Sequence, residues 1–244
     1  MGASDESAAG LPGPTVVLVH GAFADSTSWA AVGSALTARG LSVLAVANPL
    51  RDLEADGTYV ASVLATIEGP VVLVGHSYAG SVITRAAAES DGVAALVYVA
   101  AFIPTVGESS GELNGKFPGS QLTPDNLVAR PTADGHTDLY LRADRFGEVY
   151  AGGLDAEAVA VAALAQRPIT NEALGGILTK APRRALPAWQ VVATADNAVP
   201  TELQRFLAER AGAHVVEADS GHDVPAARPG AVVEAVLAAV SAIA

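Results

Sequence analysis

The chain has 244 residues, 50% of them hydrophobic and 16% charged, which suits one sizeable domain with a large core and excludes a disordered chain. With 26 acidic against 14 basic residues and a formal net charge of -12, the composition argues against nucleic acid as a partner, because a phosphate backbone would be repelled overall. The absence of cysteine removes disulfides, thiol nucleophiles and cysteine metal sites together, and no apolar run approaches the ~20 residues that a membrane span needs.

The start, residues 1–14, is small, polar and acidic, with neither the basic nor the apolar region of a secretory signal. It reads as a flexible lead-in, and a cytoplasmic location is expected, although a trimmed secreted chain would begin the same way. Thr15 to Val19 reads as a buried strand running into His20-Gly21-Ala22-Phe23, where Gly21 permits a sharp exit. Ser26 to Arg39 has Trp29, Val32 and Leu36 at helical spacing and Gly40 as its stop. Leu41 to Val46 is the next strand. Asn48-Pro49 turns the chain, and Thr58 to Ile67 supplies a helix with Val60, Val63, Leu64 and Ile67. Val71 to Val74 is a strand ended by Gly75, a helix starts at Tyr78, and Val93 to Ala101 is a further apolar strand.

This alternation predicts an α/β architecture, a mostly parallel doubly wound sheet covered on both faces, with reactive groups at the carboxyl ends of the strands. The rhythm breaks after Phe102, where proline and glycine are frequent, and resumes near Pro187. Residues 15–102 and 187–244 are therefore expected to form the body, with 103–186 inserted over the strand ends as a helical lid. Helical pieces are expected at Ala156 to Gln166 and Asn171 to Leu178. Phe117, Tyr140 and Phe146 from the insertion join Phe23 and Phe102 as candidate substrate-pocket residues. Tyr150 is the insertion's other aromatic able to serve, and each of the insertion's aromatics would equally suit packing the lid onto the body. Ala188 to Thr194 and Ala213 to Glu217 are strands, and Thr201 to Ala211 and Gly230 to Ile243 are helices.

The chemistry gathers around Gly75-His76-Ser77-Tyr78-Ala79-Gly80. A serine at a tight strand-to-helix turn exposes its hydroxyl, provided that the residues two places away are small. Gly75 and Ala79 meet that demand, although a structural turn would carry the same residues. A serine nucleophile needs a base, and histidine is the natural one. His20 and His76 sit at tight turns and are expected to hold loops, His136 lies in the insertion, and His214 opens a strand. His222, in a glycine-rich loop after the last strand, can reach Ser77. Asp196 follows a strand end upstream of His222, giving the chain order Ser, Asp, His, whereas Asp219 and Asp223 lie too near His222 in sequence to approach it side-on. The developing oxyanion would be met by the backbone N–H groups of Tyr78 and Ala22.

From VVLVHGAF through GHSYAG to TADNAVP and SGHDVP, the chain resembles α/β-hydrolases over nearly its whole length. It is most similar to the group holding plant methyl-ester esterases, hydroxynitrile lyases and small bacterial esterases. AQRPI and the run from Gln204 to His222 are similar to the bacterial members. The resemblance implies the triad Ser77, Asp196 and His222 with donors at Ala22 and Tyr78. Hydroxynitrile lyases of this group carry threonine where Gly21 stands and lysine where Asp223 stands, so the lyase reading weakens. The expected activity is hydrolysis of a small, fairly apolar carboxylic ester through an acyl-enzyme, with no cofactor and no metal, by a monomer or homodimer. A lyase or carbon–carbon-bond-cleaving enzyme, or a receptor that retains the triad for ligand capture, are the alternatives.

Overall fold

The computed structural model describes residues 13–243, so residues 1–12 of the expected lead-in lie outside the described residues. Six strands build the main sheet: β1 (Thr15–Val19), β2 (Ser42–Val46), β3 (Val71–His76), β4 (Val93–Val99), β8 (Ala188–Ala193) and β9 (His214–Ala218). They lie in the order β2-β1-β3-β4-β8-β9, and every neighbouring pair is parallel. The chain leaves β1 for one edge, then returns to the other side of β1 as β3. This switch point sets the end of β1 beside the end of β3, with Val19 paired to Gly75.

The period of two along each strand divides the core between the two faces. Val17, Val19, Val71 and Leu73 enter one cluster, with Leu53, Val60 and Leu64 of α2 (Leu53–Leu64), Val82 and Ile83 of α3 (Ala79–Ala87), and Leu203 and Leu207 of α8 (Thr201–Ala211). Val16, Leu18, Val72 and Val74 enter the other, with Val32 and Leu36 of α1 (Ala30–Thr37) and Val232, Val233 and Val236 of α10 (Pro229–Ala242). Each fully buried Val, Leu or Ile contributes roughly 1.5–3 kcal/mol, and the inner strands β1, β3, β4 and β8 carry them in near-continuous runs because both faces are covered there, whereas the edge strands β2 and β9 are largely exposed.

Some boundaries differ from the sequence expectation for identifiable reasons. Helix α2 begins at Leu53 rather than Thr58, because the Asp52 side chain accepts from Ala55 N–H and starts it a turn and a half earlier. Gly57 is inside it as a contact residue, since a Cβ there would lie 2.4 Å from Cγ of Arg85. The helix expected from Ser26 opens as a 3₁₀ turn over Ser26–Trp29, capped by Asp25. Strand β3 runs on through Gly75 to His76.

Between β4 and β8 the chain holds α4 (Ser110–Asn114), β5 (Leu127–Pro131), β6 (Thr137–Leu141), α5 (Phe146–Val149), α6 (Ala156–Ala165), β7 (Ile169–Thr170) and α7 (Asn171–Gly175). The three strands form a small antiparallel sheet in the order β5-β6-β7, so this stretch is not the purely helical one expected. A short α9 (Val224–Ala227) follows the loop after β9. No helix among the described residues is long and apolar enough to cross a membrane.

Candidate active site

Among the described residues, four non-glycine residues have φ in the left-handed region: Phe23 (60°), Leu50 (61°), Ser77 (57°) and Ala100 (45°). Phe23, Ser77 and Ala100 follow the carboxyl ends of β1, β3 and β4, and Leu50 lies in the loop after β2. Such conformations cost on the order of 1–3 kcal/mol each and persist only where their surroundings hold them. Ser77 is held on three sides. Its N–H donates to Val99 O at 3.1 Å, and its carbonyl accepts from Gly80 N–H at 3.0 Å and Phe102 N–H at 3.3 Å. Close packing completes the turn, because a Cβ on Gly75 would lie 2.7 Å from Ala79 O, and one on Gly80 would lie 2.1 Å from Phe102 O. Gly80, one place beyond the usual final glycine of the motif, is therefore the residue at which the helix meets the strand-end loop.

The side chains of Ser77, His222 and Asp196 come together at this rim. His222 Nε2 lies 2.8 Å from Ser77 Oγ, and His222 Nδ1 lies 2.7 Å from Asp196 Oδ2. A carboxylate can only accept, so Nδ1 carries the proton and Nε2 is free to take one from the serine hydroxyl. All three residues are buried.

Asp196 is fixed before it meets the imidazole. Its Oδ1 accepts from Ala198 N–H at 2.7 Å and Val199 N–H at 2.9 Å, while Oδ2 also accepts from Gln204 Nε2 at 2.8 Å. Gln204, wholly buried on α8, accepts in turn from Ala193 N–H at 2.9 Å, so the end of β8 and the start of α8 brace one carboxylate. Sequence reading misses Gln204, because one glutamine in an amphipathic helix gives no signal until the helix is docked.

The two turn histidines do hold loops. Asn48 N–H donates to His20 Nε2 at 3.0 Å, and the His20 Nδ1 proton goes to Gly21 O at 2.9 Å. His76 Nε2–H donates to the His222 carbonyl at 2.9 Å and anchors the loop that carries the base. Burial, with His222 adjoining, pushes His76 well below the usual histidine range, so it stays neutral beside an imidazole whose ring centre is 4.8 Å away. His136 lies 3.6 Å from Glu172, and His214 stacks on Trp189; neither approaches Ser77.

Ala22 and Tyr78 line the cavity that contains Ser77 and His222. Among the described residues neither backbone N–H donates to another protein atom. Tyr78 is tied down by its side chain, whose hydroxyl donates to Asp56 Oδ2 of α2 at 2.9 Å. Burial pushes both the Tyr78 phenol and the Asp56 carboxyl upward.

That cavity, about 140 Å³, is lined by Phe23, Phe102, Leu122, Tyr150 and Leu174 besides the residues just named. Of the aromatics named as pocket candidates, Phe23 and Phe102 line this cavity and three others do not. Leu139 and Leu141 of β6 point inward, so the alternation turns Tyr140 away, beneath the Arg130 guanidinium. Phe117 packs on Phe206 of α8, with ring centres 5.6 Å apart. Phe146 is fully buried behind Tyr150, at 5.0 Å between ring centres, and borders a neighbouring cavity instead. Tyr150 lines the cavity, its ring 5.1 Å from that of His222.

The pattern of the alpha/beta hydrolase family matches residues 16–235, and the chain belongs to that family. The probable hydrolase R7 of a Phoma species is 34% identical over 118 residues, covering 42% of this chain and 48% of that protein. The match thus spans about half the length of that relative. Among solved structures, a pyrethroid hydrolase from Sphingobium faniae JZ-2 is similar with a TM-score of 0.75 at 24% identity, covering 95% of this chain and 98% of the other. A methylesterase protein from Arabidopsis is similar with a TM-score of 0.77 at 21% identity, covering 93% and 98%.

Proposed function

We propose that this protein is a serine hydrolase that cleaves carboxylic esters of small, fairly apolar substrates through an acyl-enzyme intermediate. The observation that carries the reading is the unbroken chain of contacts from Ser77 Oγ through His222 to Asp196, beginning at a serine in the left-handed region. Ser77 Oγ attacks the ester carbonyl as His222 Nε2 takes its proton. Ala22 N–H and Tyr78 N–H meet the negative charge on the former carbonyl oxygen, each such donor contributing about 3 kcal/mol in a water-poor site. The tetrahedral adduct collapses, the C–O bond to the alcohol breaks, and the proton on Nε2 passes to the departing alkoxide. Water, deprotonated by the same nitrogen, then releases the acid. Asp196 keeps the imidazole oriented and offsets its charge while it is doubly protonated.

The size of the chamber sets the acyl preference. A volume of about 140 Å³, below the usual range of ligand pockets, favours a small acyl group. The stretch between β4 and β8 supplies Leu122, Tyr150 and Leu174 to its roof and acts as a lid. A hydroxynitrile-lyase reading finds no support at position 21, because a Cβ on Gly21 would lie 2.6 Å from His76 O and 2.8 Å from Ser77 Cβ. The threonine of such lyases would not fit there without moving the nucleophile.

Replacing Ser77 tests the proposal. Ser77→Ala is expected to lower kcat on p-nitrophenyl acetate by at least ~10³-fold while the melting temperature stays near that of the parent. A loss below tenfold would assign the chemistry to another group.

A further inference from the structure

Phe23 and Tyr150 separate the chamber of Ser77 from a second cavity of about 440 Å³, which they also line. This cavity lies between the loop after β1, helix α6 and the start of α9. Helix α6 covers it and meets the core only through the partly buried Val159, Ala162 and Ala163, none of its residues being fully buried. Most of the wall is apolar, yet two polar groups in it are unsatisfied. Asp223 is 4% exposed and its Oδ1 has no hydrogen-bond partner among the described residues; the Tyr150 hydroxyl, on a residue 2% exposed, has none either. Buried polar atoms are nearly always paired, so the Asp223 carboxylate, more than nine-tenths buried on this wall with one oxygen left over, marks a place where a ligand supplies the missing partner.

The charge of the wall says which ligand. Asp25 and Asp155, which also cap helices, and Glu157 add three carboxylates to that of Asp223, and among the described residues no Lys, Arg or His side chain lines the cavity. An anion would be repelled, and a neutral apolar group would leave Asp223 buried and unpaired. A protonated amine satisfies it: an N–H donates to the Asp223 carboxylate, the charges attract, and the rings of Phe23 and Tyr150 offer their negative faces to the same cation. Asp223 follows His222 directly in the chain, so a substrate held there by its amine is already beside the imidazole that serves Ser77.

We propose that this second cavity is a binding subsite for an alkylammonium group, and that the ester taken by Ser77 carries such a group on the part that extends past Phe23 and Tyr150. The ester chemistry rests on the reading above, whereas the subsite is tested by binding alone. Cyclohexylammonium, cyclohexanol and cyclohexanecarboxylate, alike in shape and differing in charge, are titrated by calorimetry at pH 7.5 into the Ser77→Ala protein and into the same protein with Asp223→Asn. Cyclohexylammonium is expected to bind at least about tenfold more tightly than the alcohol, a difference of about 1.4 kcal/mol, and the carboxylate not at all. With Asp223→Asn that preference is expected to vanish. Equal binding of ammonium and alcohol by the unmodified cavity overturns the proposal, even if Asp223→Asn fails to fold. So does ammonium binding that survives the loss of Asp223. Because no turnover is measured, a failed esterase assay and a failed titration are separate results.

Discussion

Asp196, on the loop between β8 and α8, and Asp223, on the wall beneath α6, flank the same imidazole in opposite states. Asp196 has both oxygens filled, by two backbone N–H groups, the Gln204 amide and His222 Nδ1. Asp223 has an oxygen with no partner, and it sits beside a phenol in the same condition. The first arrangement holds geometry, because a carboxylate bound by four donors has no freedom to drift. The second leaves bonding capacity unused, which costs stability and is retained where something binds. The sheet-end floor of the site is thus built for position, and the wall under α6 is built for contact.

Breaking the satisfied side is expected to have the largest effect. Asp196→Asn keeps the shape but offers an N–H where His222 Nδ1–H needs an acceptor, favouring the tautomer whose Nε2 cannot take the proton of Ser77. The kcat for p-nitrophenyl acetate is expected to fall by ~10³–10⁴-fold, as for the same change in another serine triad. Measured together with thermal unfolding, a fall below tenfold would mean that His222 takes its orientation from elsewhere.

The unsatisfied side responds in the opposite sense and depends on pH. Burial pushes the Asp223 carboxyl from 3.8 up to about 6. Below pH 4 both folded and unfolded chains hold the proton, and the group costs nothing. Between 4 and 6 the unfolded chain releases it while the folded one retains it, so stability declines as the pH rises, and the full penalty persists above 6. At 1.36 kcal/mol per pH unit this amounts to at most about 3 kcal/mol. Urea unfolding is therefore expected to show Asp223→Asn more stable than the parent by about 1–3 kcal/mol at pH 7.5 and equal to it at pH 4. A variant less stable at pH 7.5 would show that the carboxylate has a partner in the folded protein. Taken with the ammonium titration, the expected result describes one residue that weakens the empty protein and strengthens its complex.

The same contrast explains how much the sequence discloses. Ser77, His222, Asp196, Ala22 and Tyr78 stand at strand ends, where the alternation of apolar runs and glycines marks the chain before any coordinates exist. The stretch between β4 and β8 lacks that grammar. Its hairpin turns at Asp134-Gly135, a recognisable turn pair with Gly135 at φ 90°, but Leu127-Val-Ala-Arg-Pro beside it has no clear alternation to reveal a strand. Tyr140 and Phe117 have the right chemistry for a pocket and the wrong direction, and side-chain direction depends on a register that only the folded sheet defines. Gln204 and Asp223 are hidden for a related reason. A glutamine beside a carboxylate, and an aspartate with one oxygen left unpaired, look alike until their neighbours are in place.

The smallest expected effect sharpens the comparison most, because it concerns one atom. Tyr150 keeps its ring against Phe23, Phe146 and His222 whether or not it carries oxygen. Its hydroxyl has no partner to lose, so Tyr150→Phe removes a desolvated polar atom and leaves no other group unpaired. Stability is expected to rise by up to about 1 kcal/mol, or about 2–4 °C in Tm for a chain of this size. A hydroxyl that donated to an ordered water would reverse the sign, since its removal would strand the water as well. Differential scanning calorimetry of Tyr150→Phe with the cavity empty separates the two: a lower Tm would place solvent against that wall and make it a hydrated surface rather than an unsatisfied one.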